Sequence, residues 1–178
     1  ASNFKGNCEA VYFPESVEEI VSIVKEANTN KTKVTIAGNG TGLTGARVPQ
    51  NGIVIATDKL NKILEINSKE FYAVIEPAVL LSDFQKEIKT KNLFYPPDPT
   101  ETNCYIGGTV ATNASGAKTF KYGPTRDYVI GLQIVLPDGE VIDLERGKQK
   151  AIGYDLTFTT QSGKNISLQI PDYTFPAV

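Results

Sequence analysis

Two separate glycine-rich segments contain the residue types in this chain that are best suited to bind a ligand. The first runs from Gly38 to Gly45 and the second from Gly107 to Gly116, and both combine glycines with small hydroxyl and amide side chains. Glycine lets backbone N–H groups approach a ligand closely, and successive N–H groups in a turn form a nest for an anion. The two segments therefore predict an anion site, most often one for phosphate, and make a nucleotide cofactor the leading hypothesis.

The first segment matches the dinucleotide pattern G-x-G-x-x-G over residues 40–45, directly after a predicted strand. In a Rossmann site that pattern opens a helix whose N-terminus faces the pyrophosphate. Residues 46–52 contain two helix breakers and no helical apolar stripe, and no Lys-Ser or Lys-Thr pair follows to make a P-loop. We therefore expect a turn-rich loop whose backbone N–H groups, with the hydroxyls of Thr41 and Thr44, bind a pyrophosphate. The alternative is a plain connection between two strands.

The second segment offers more side-chain chemistry, around the pair Gly107 and Gly108. Small residues such as Ala111 and Ala114 would let a flat ring system lie against the backbone. The alternative is a short, tightly packed helix whose glycines permit a close crossing, and the segment alone leaves both interpretations open. The polar residues that precede or follow the glycine pair are Asp98, Thr100, Thr102, Asn103, Thr112, Asn113 and Ser115.

Three cations, Lys118, Lys121 and Arg126, lie just beyond the second segment. Such a cluster is usually a solvated face. The alternative is that it lends a positive potential to a carboxylate substrate or to a cofactor ring.

The elements that must position the first segment form a small α/β lobe. Ser16 and Glu19 have the spacing of a capping box, and apolar residues then recur at helical spacing, which predicts a helix over 16–28. Apolar, β-branched runs predict strands at 33–37, 53–57 and 63–66, and the first of these leads directly into the glycine loop.

A further set of elements surrounds the second segment. The predicted helix buries Phe84 and Ile88, and Asp138-Gly139 forms a hairpin turn. The last thirty residues give only weak strand signals. In order, the pattern predicts a strand at 71–76, a helix over 82–91, an extended proline-rich stretch at 95–99, and hairpin strands at 129–136 and 140–144.

The composition is that of an ordinary globular protein, with 178 residues, 40% hydrophobic and 21% charged, and a formal net charge of -2. This length allows one domain of usual size or two small lobes. The charge gives no general attraction to nucleic acid or anionic membranes. No apolar run approaches the roughly 20 residues of a spanning helix, and the chain does not open with a signal-peptide pattern. We expect a cytoplasmic protein without a nucleic-acid partner, in a parent that could associate peripherally with a membrane.

The residue types that are missing are also informative. The chain has no histidine, which excludes His-based triads, His-ligated metals and a His-linked covalent flavin within this stretch, and we expect no metal site. It has no methionine and begins abruptly at Ala1, so we expect a piece of a longer protein. Cys8 and Cys104 are too few for a disulfide framework, and we expect reduced thiols.

A series of short motifs runs in order along residues 11–145. They are Phe13-Pro14-Glu15-Ser16, Gly38-x-Gly40-Thr41-Gly42-Leu43, Glu76-Pro77, Pro96-Pro97-Asp98-Pro99, Ile106-Gly107-Gly108, Ala111-Thr112-Asn113-Ala114-x-Gly116, Lys121-Tyr122-Gly123-x-Thr125-Arg126-Asp127 and Leu136-Pro137-Asp138-Gly139-Glu140. Together they resemble the FAD-linked oxidase N-terminal domain, which has the PCMH or vanillyl-alcohol oxidase type of FAD fold. Within that family the chain resembles the group of D-lactate dehydrogenase, the glycolate oxidase FAD subunit and D-2-hydroxyglutarate dehydrogenase.

The resemblance implies an α+β fold of two subdomains, about 1–67 and 68–178, with FAD bound noncovalently between them. It also implies that a full-length parent oxidises a D-2-hydroxy acid by hydride transfer to flavin N5. The substrate domain is not in this chain and no residue here is assigned as a base, so the piece alone is expected to be inactive. The implied FAD contacts are Gly38, Asn39, Gly40, Thr41, Gly42 and Leu43 at the pyrophosphate; Asp98, Thr102, Cys104, Gly107, Gly108, Thr112, Asn113, Ser115 and Gly116 along the ribityl and isoalloxazine portions; and Ile142 near the adenine.

The chain departs from the family pattern at three places. Asn39 and Ala78 stand where glycine is usual. The Ser-Glu-Gly-Thr-Leu-Gly segment that completes the FAD site in the family does not occur before Val178, so the piece is expected to bind FAD poorly. Two alternatives stay open: a reductase of the same FAD fold, of the UDP-N-acetylenolpyruvylglucosamine reductase type, and a non-catalytic nucleotide-binding subunit. The stretches Pro96–Pro99 and Lys121–Asp127 favour the hydroxy-acid enzyme over the reductase.

Overall fold

The computed structural model describes residues 4–146, 151–152 and 155–169, which form short helices and small sheets. The strands are β1 Ala10–Tyr12, β2 Val34–Ala37, β3 Ile53–Ala56, β4 Ile63–Asn67, β5 Tyr72–Ile75, β6 Gly131–Val135, β7 Val141–Glu145, β8 Ala151–Ile152, β9 Asp155–Thr159 and β10 Asn165–Gln169. The helices are α1 Val17–Thr29, α2 Leu81–Thr90, α3 Ile106–Ala111 and α4 Thr119–Tyr122, followed by a 3-10 helix at Thr125–Tyr128.

The first lobe is built on a parallel sheet with the strand order β1-β3-β2. Strand β3 lies in the middle and is buried along its whole length, as its run of four apolar residues predicts. Because β2 and β3 are parallel, both end at the same edge of the sheet. The glycine loop that follows Ala37 therefore begins beside Thr57 and Asp58, which follow β3.

Helix α1 confirms the capping signal read from the sequence. The Ser16 hydroxyl oxygen accepts a hydrogen bond of 3.2 Å from the Glu19 backbone N–H. The Glu19 carboxylate accepts one of 2.8 Å from the N–H of Glu15, one residue before the cap, where a standard capping box uses the N–H of the cap residue itself.

The second lobe has its core around α2, which begins at Leu81, one residue before the predicted start. Phe84 and Ile88 are buried as predicted, and they pack with Cys104 and Ile106. Strands β4 and β5 form an antiparallel hairpin, whose turn contains the boundary predicted near residue 67. The division into two subdomains stays a prediction.

The predicted hairpin at 129–144 is formed by β6 and β7, with Gly139 at its turn in the left-handed region (φ +80°). The weak strand signals farther on correspond to an antiparallel sheet of the order β10-β9-β8, and Gln161 N–H donates to Val141 O at 2.8 Å. Of the last thirty residues, for which the sequence gave only weak strand signals, 149–150, 153–154 and 170–178 lie outside the described residues. Across the described ranges, no helix combines the length and apolar character of a membrane span.

Candidate cofactor-binding site

The first glycine segment leaves the sheet at the end of β2 and is irregular throughout. Gly40 and Gly45 have φ values of +76° and +79°, a region in which residues with a Cβ are strained. The chain then turns at residues 46–48, and Val48 N–H donates to Gly45 O at 2.9 Å. No helix opens at this loop, so the Rossmann alternative is excluded and the predicted turn-rich loop is confirmed.

The backbone of this loop has spare hydrogen-bond donors. Within the described part of the chain, no backbone N–H of residues 39–45 donates to a protein acceptor. A Cβ placed on Gly42 would meet nothing within 4 Å, so the loop is also open to an approaching group. Most residues of the loop, among them Asn39, Gly40 and Gly42, are exposed, so these N–H groups are accessible from solvent and available to bind an anion.

Arg47 adds a full positive charge to the loop, which the sequence analysis did not anticipate. Its Nη1 donates to the carbonyl oxygen of Gly38 at 3.2 Å. A Cβ on Gly40 would lie 1.9 Å from that nitrogen, so the arginine lies directly on the Gly40 backbone. The contact of Arg47 with Gly38 and Gly40 depends on the turn at residues 46–48, which the sequence does not specify. In the sequence, Arg47 is visible only as a cation two residues after the last glycine of the loop.

A cavity of about 350 Å³ lies at this edge of the parallel sheet. Val11 and Val54 contribute apolar surface from the strands, and the polar groups of Asn39, Arg47 and Asp58 also line it. An apolar surface with a few convergent polar groups is typical of a cofactor site.

The second segment contains the short helix α3, and its two glycines differ. A Cβ on Gly107 would lie 2.6 Å from the Cβ of Pro77, and the Gly107 N–H donates to Pro77 O at 2.8 Å. Gly107 therefore permits close packing of α3 against Pro77, which was the alternative to ligand binding for this segment. Gly108 is exposed, and a Cβ there would meet nothing within 4 Å. Only Gly108 leaves space for a ligand against the backbone.

Several other predicted contact residues have structural partners in this segment. Cys104 is buried in the core around α2, and burial raises the pKa of its thiol. A Cβ on Gly116 would lie 1.8 Å from the backbone oxygen of Asp98, so these two chain segments touch. Asn113 adopts φ +47°, and its side-chain oxygen accepts from Arg126 N–H at 3.0 Å. Their roles toward a cofactor stay predictions.

The remaining predicted contacts lie on different elements. Thr112 at the end of α3 donates from Oγ1 to Gly108 O at 2.9 Å. Thr102 and Ser115 are exposed, as is Leu43 in the first loop, and Thr41 is half-buried. Ile142 is buried in β7 opposite Ile134, on the β6–β7 hairpin.

The three cations beyond the second segment are partly engaged. Lys118 Nζ lies 3.0 Å from the Asp98 carboxylate and 5.8 Å from the centroid of the Phe94 ring. Lys121 Nζ lies 4.7 Å from the ring centroid of Tyr122. Arg126 Nε lies 3.9 Å from the Asp127 carboxylate. Lys118 and Arg126 thus each have a carboxylate partner, and the positive potential suggested for this cluster stays a prediction.

Two side-chain hydrogen bonds connect the edge of the parallel sheet, where the first glycine segment begins, with the chain that directly precedes the second segment. Asn39 Nδ2 donates to the backbone oxygen of Asn103 at 2.5 Å. The Tyr105 hydroxyl donates to the Asp58 carboxylate at 3.1 Å. The loop after β2 and the chain before α3 are therefore held side by side. The sequence analysis missed Asp58 and Tyr105, since neither lies in a recognisable pattern.

Comparison with known proteins gives a family match for residues 8–145, to a model described as FAD binding domain. The chain is 42% identical over 154 residues to a D-lactate dehydrogenase of Anaerostipes hadrus, covering 85% of this chain and 32% of that protein. It is 39% identical to a D-2-hydroxyglutarate dehydrogenase of Stutzerimonas stutzeri (83% and 32% covered). It is 38% identical to the glycolate oxidase subunit GlcD of Bacillus subtilis (84% and 32% covered). The chain thus spans about a third of the length of these relatives.

A solved structure with the same fold is that of an alkyldihydroxyacetonephosphate synthase, with a TM-score of 0.69 and 26% identity. It covers 77% of this chain, and the matched part is 28% of that protein. The predicted α+β fold of the PCMH type is confirmed.

Proposed function

The chain belongs to the FAD binding domain family, and we propose that it is the cofactor-binding part of a flavin-dependent enzyme that oxidises a D-2-hydroxy acid. FAD as the cofactor follows from the family match over residues 8–145. The activity is proposed for the intact natural protein, because the relatives named for such reactions are about three times as long as this chain.

The residues of the site fit FAD. A dinucleotide carries a diphosphate that needs several donors, and the loop over residues 39–45 has backbone N–H groups that donate to no described acceptor. The guanidinium of Arg47 lies on this loop and supplies the opposite charge. The open backbone of Gly42 and Gly108 leaves room for a ligand along both glycine segments.

We assign the diphosphate to the first segment, because its free N–H groups are the strongest observation in favour of the proposal. The ribityl chain and flavin ring are assigned to the second segment, where Gly108 exposes its backbone. When bound, FAD supplies the acceptor for a hydride from the substrate α-carbon. The protein residues bind and orient, and we propose none of the described residues as the base. We propose that the FAD is held noncovalently.

The substrate class is tested by reduction of the bound flavin. The intact natural protein is loaded with FAD and mixed without oxygen with D-lactate, D-2-hydroxyglutarate or glycolate. We expect the absorbance of the oxidised flavin to disappear with at least one of them. The L-enantiomers of the two chiral acids serve as the control. Bound flavin that stays oxidised with all three acids would contradict the proposed oxidation and favour a non-catalytic nucleotide-binding subunit.

A further inference from the structure

We propose that Asn39 and Tyr105 are positioning residues that fix the first glycine segment against the second, so that one FAD molecule can contact both. This inference rests on the proposed function, and it concerns a pair of contacts here named the cross-segment clasp: Asn39 to Asn103 and Tyr105 to Asp58.

One side of the clasp is firmly anchored. The chain at 102–107 lies antiparallel to residues 77–82, with backbone hydrogen bonds of 3.0 Å from Leu81 N–H to Cys104 O and 2.9 Å from Ile106 N–H to Val79 O. Leu81 is fully buried and Ile106 is 6% exposed, and both belong to the core around α2. The backbone oxygen of Asn103 and the ring of Tyr105 are thus attached to the core of the second lobe.

The first glycine segment, on the other side of the clasp, has few hydrogen bonds to the rest of the described fold. Between residues 38 and 45 the described loop accepts bonds from Arg47 and Val48, which belong to the same turn. The Asn39 side chain makes the hydrogen bond that joins the loop to a distant part of the chain, across 64 positions of sequence. The loop also lies against the Phe4 ring, since a Cβ on Gly45 would be 2.8 Å from that ring. Asp58, which follows the neighbouring strand β3, provides the second connection at the same sheet edge.

The two hydrogen bonds of the clasp do not use the backbone N–H groups that are proposed to bind the ligand. Asn39 donates through its side chain, so the backbone N–H groups of the loop stay available for an anion. The Tyr105 hydroxyl donates a hydrogen bond to the Asp58 carboxylate. Its pKa is raised by burial and by the bond to Asp58, so the hydroxyl remains a donor at neutral pH. A ligand that contacts both segments binds more tightly when their relative position is already fixed than when the ligand itself must fix it.

The test separates the clasp from the loop itself. Asn39→Ala and Tyr105→Phe are made in the intact natural protein, and the affinities for FAD and for ADP are measured, the latter by competition with FAD. ADP carries the adenine and the diphosphate but no ribityl chain or flavin ring, so it makes none of the contacts assigned to the second glycine segment. We expect each variant to weaken FAD binding about five- to tenfold, the effect of losing one hydrogen bond, and to leave ADP binding unchanged. Tyr72→Phe is the matched control, because Tyr72 also donates to an exposed carboxylate, that of Glu65 at 2.8 Å, within the β4–β5 hairpin.

The outcomes are distinct. Unchanged FAD affinity in both variants would overturn the inference while leaving the proposed function intact. An equal loss for FAD and ADP would also overturn it, because Asn39 and Tyr105 would then support the loop alone. Failure of ADP to compete in the unmodified protein would place the diphosphate elsewhere and overturn it as well. Failure of the unmodified protein to bind FAD would instead reject the proposed function.

Discussion

Gly107 and Gly108 are neighbours in α3, but their surroundings differ. Gly107 has no room for a Cβ beside Pro77, whereas Gly108 has open space. Their alanine variants therefore separate packing from ligand binding.

We expect Gly108→Ala to leave the apo protein as stable or to stabilise it by up to about 1 kcal/mol, because alanine is favoured over glycine inside a helix. The same variant is expected to weaken FAD binding at least about tenfold, since the new methyl group enters the space assigned to the ligand. Thermal denaturation and FAD titration check both effects. Gly107→Ala is the control and is expected to lose about 1–3 kcal/mol of stability by overpacking. Unchanged FAD affinity in Gly108→Ala would contradict the assignment of this backbone to the cofactor.

Arg47 provides a second prediction at the level of the single residue. Arg47→Gln removes the charge beside the first glycine loop, and we expect FAD to bind about fivefold more weakly at low salt, which corresponds to about 1 kcal/mol. The difference should shrink in about 1 M salt, where the screening length falls to about 3 Å. Affinities are measured by flavin fluorescence. Lys69→Gln, at an exposed cation in the β4–β5 turn, is the control. A salt-independent difference would argue against an electrostatic role.

The residue types of the first loop predicted its conformation, but not all of its partners. Glycine content and the breakers after it were sufficient to expect a turn-rich loop without a following helix. The contact between Asn39 and Asn103 joins residues 64 positions apart, and no local pattern reports such a distance. For the same reason the sequence left open whether the second segment packs or binds. The structure shows that Gly107 packs against Pro77, and the contact of Gly108 with a ligand stays a proposal.

At the scale of elements, three aromatic residues connect α2 with the proline-rich stretch and the 3-10 helix. The Tyr95 ring lies 5.4 Å from that of Phe84 and 5.9 Å from that of Tyr128, both edge to face. Burial raises the pKa of Tyr95 to about 12. The cluster therefore favours the neutral phenol of Tyr95, and the free energy of unfolding is expected to depend on pH in the alkaline range.

The direction in which pH changes the stability follows from the ordinary tyrosine pKa of 10.0, which applies in the unfolded chain. The contribution of Tyr95 is fully present below pH 10.0 and is lost as the pH rises toward about 12, because the unfolded state ionises first. We expect the free energy of unfolding in urea to fall across this interval, and to fall less in Tyr95→Phe. An identical pH dependence in both proteins would show that the phenol is not held neutral by the fold.

Elements with strong periodicity were predictable because their signals are local. Helix α1 has its cap and apolar stripe within fourteen consecutive residues, Ser16–Thr29, and β3 is a continuous apolar run. The pairing of β1 with β3, and of the strands after residue 150, depends on contacts between distant segments. These pairings became visible only in the structure.

At the scale of the whole molecule, the two glycine segments belong to different parts of the fold and meet through the cross-segment clasp. The core around α2 fixes the second segment, and the parallel sheet fixes the start of the first. The chain spans about a third of the length of the curated relatives it matches. We therefore propose cofactor binding for this arrangement and turnover for the intact natural protein.

We propose that the backbone N–H groups at residues 39–45 hold the diphosphate of FAD. A crystal structure of the intact natural protein with FAD tests it most directly. We expect diphosphate oxygens within about 2.7–3.2 Å of two or more of these nitrogens, with the Arg47 guanidinium beside them. A diphosphate bound at the N-terminus of a helix, with the loop at 39–45 free of ligand contacts, would contradict the account.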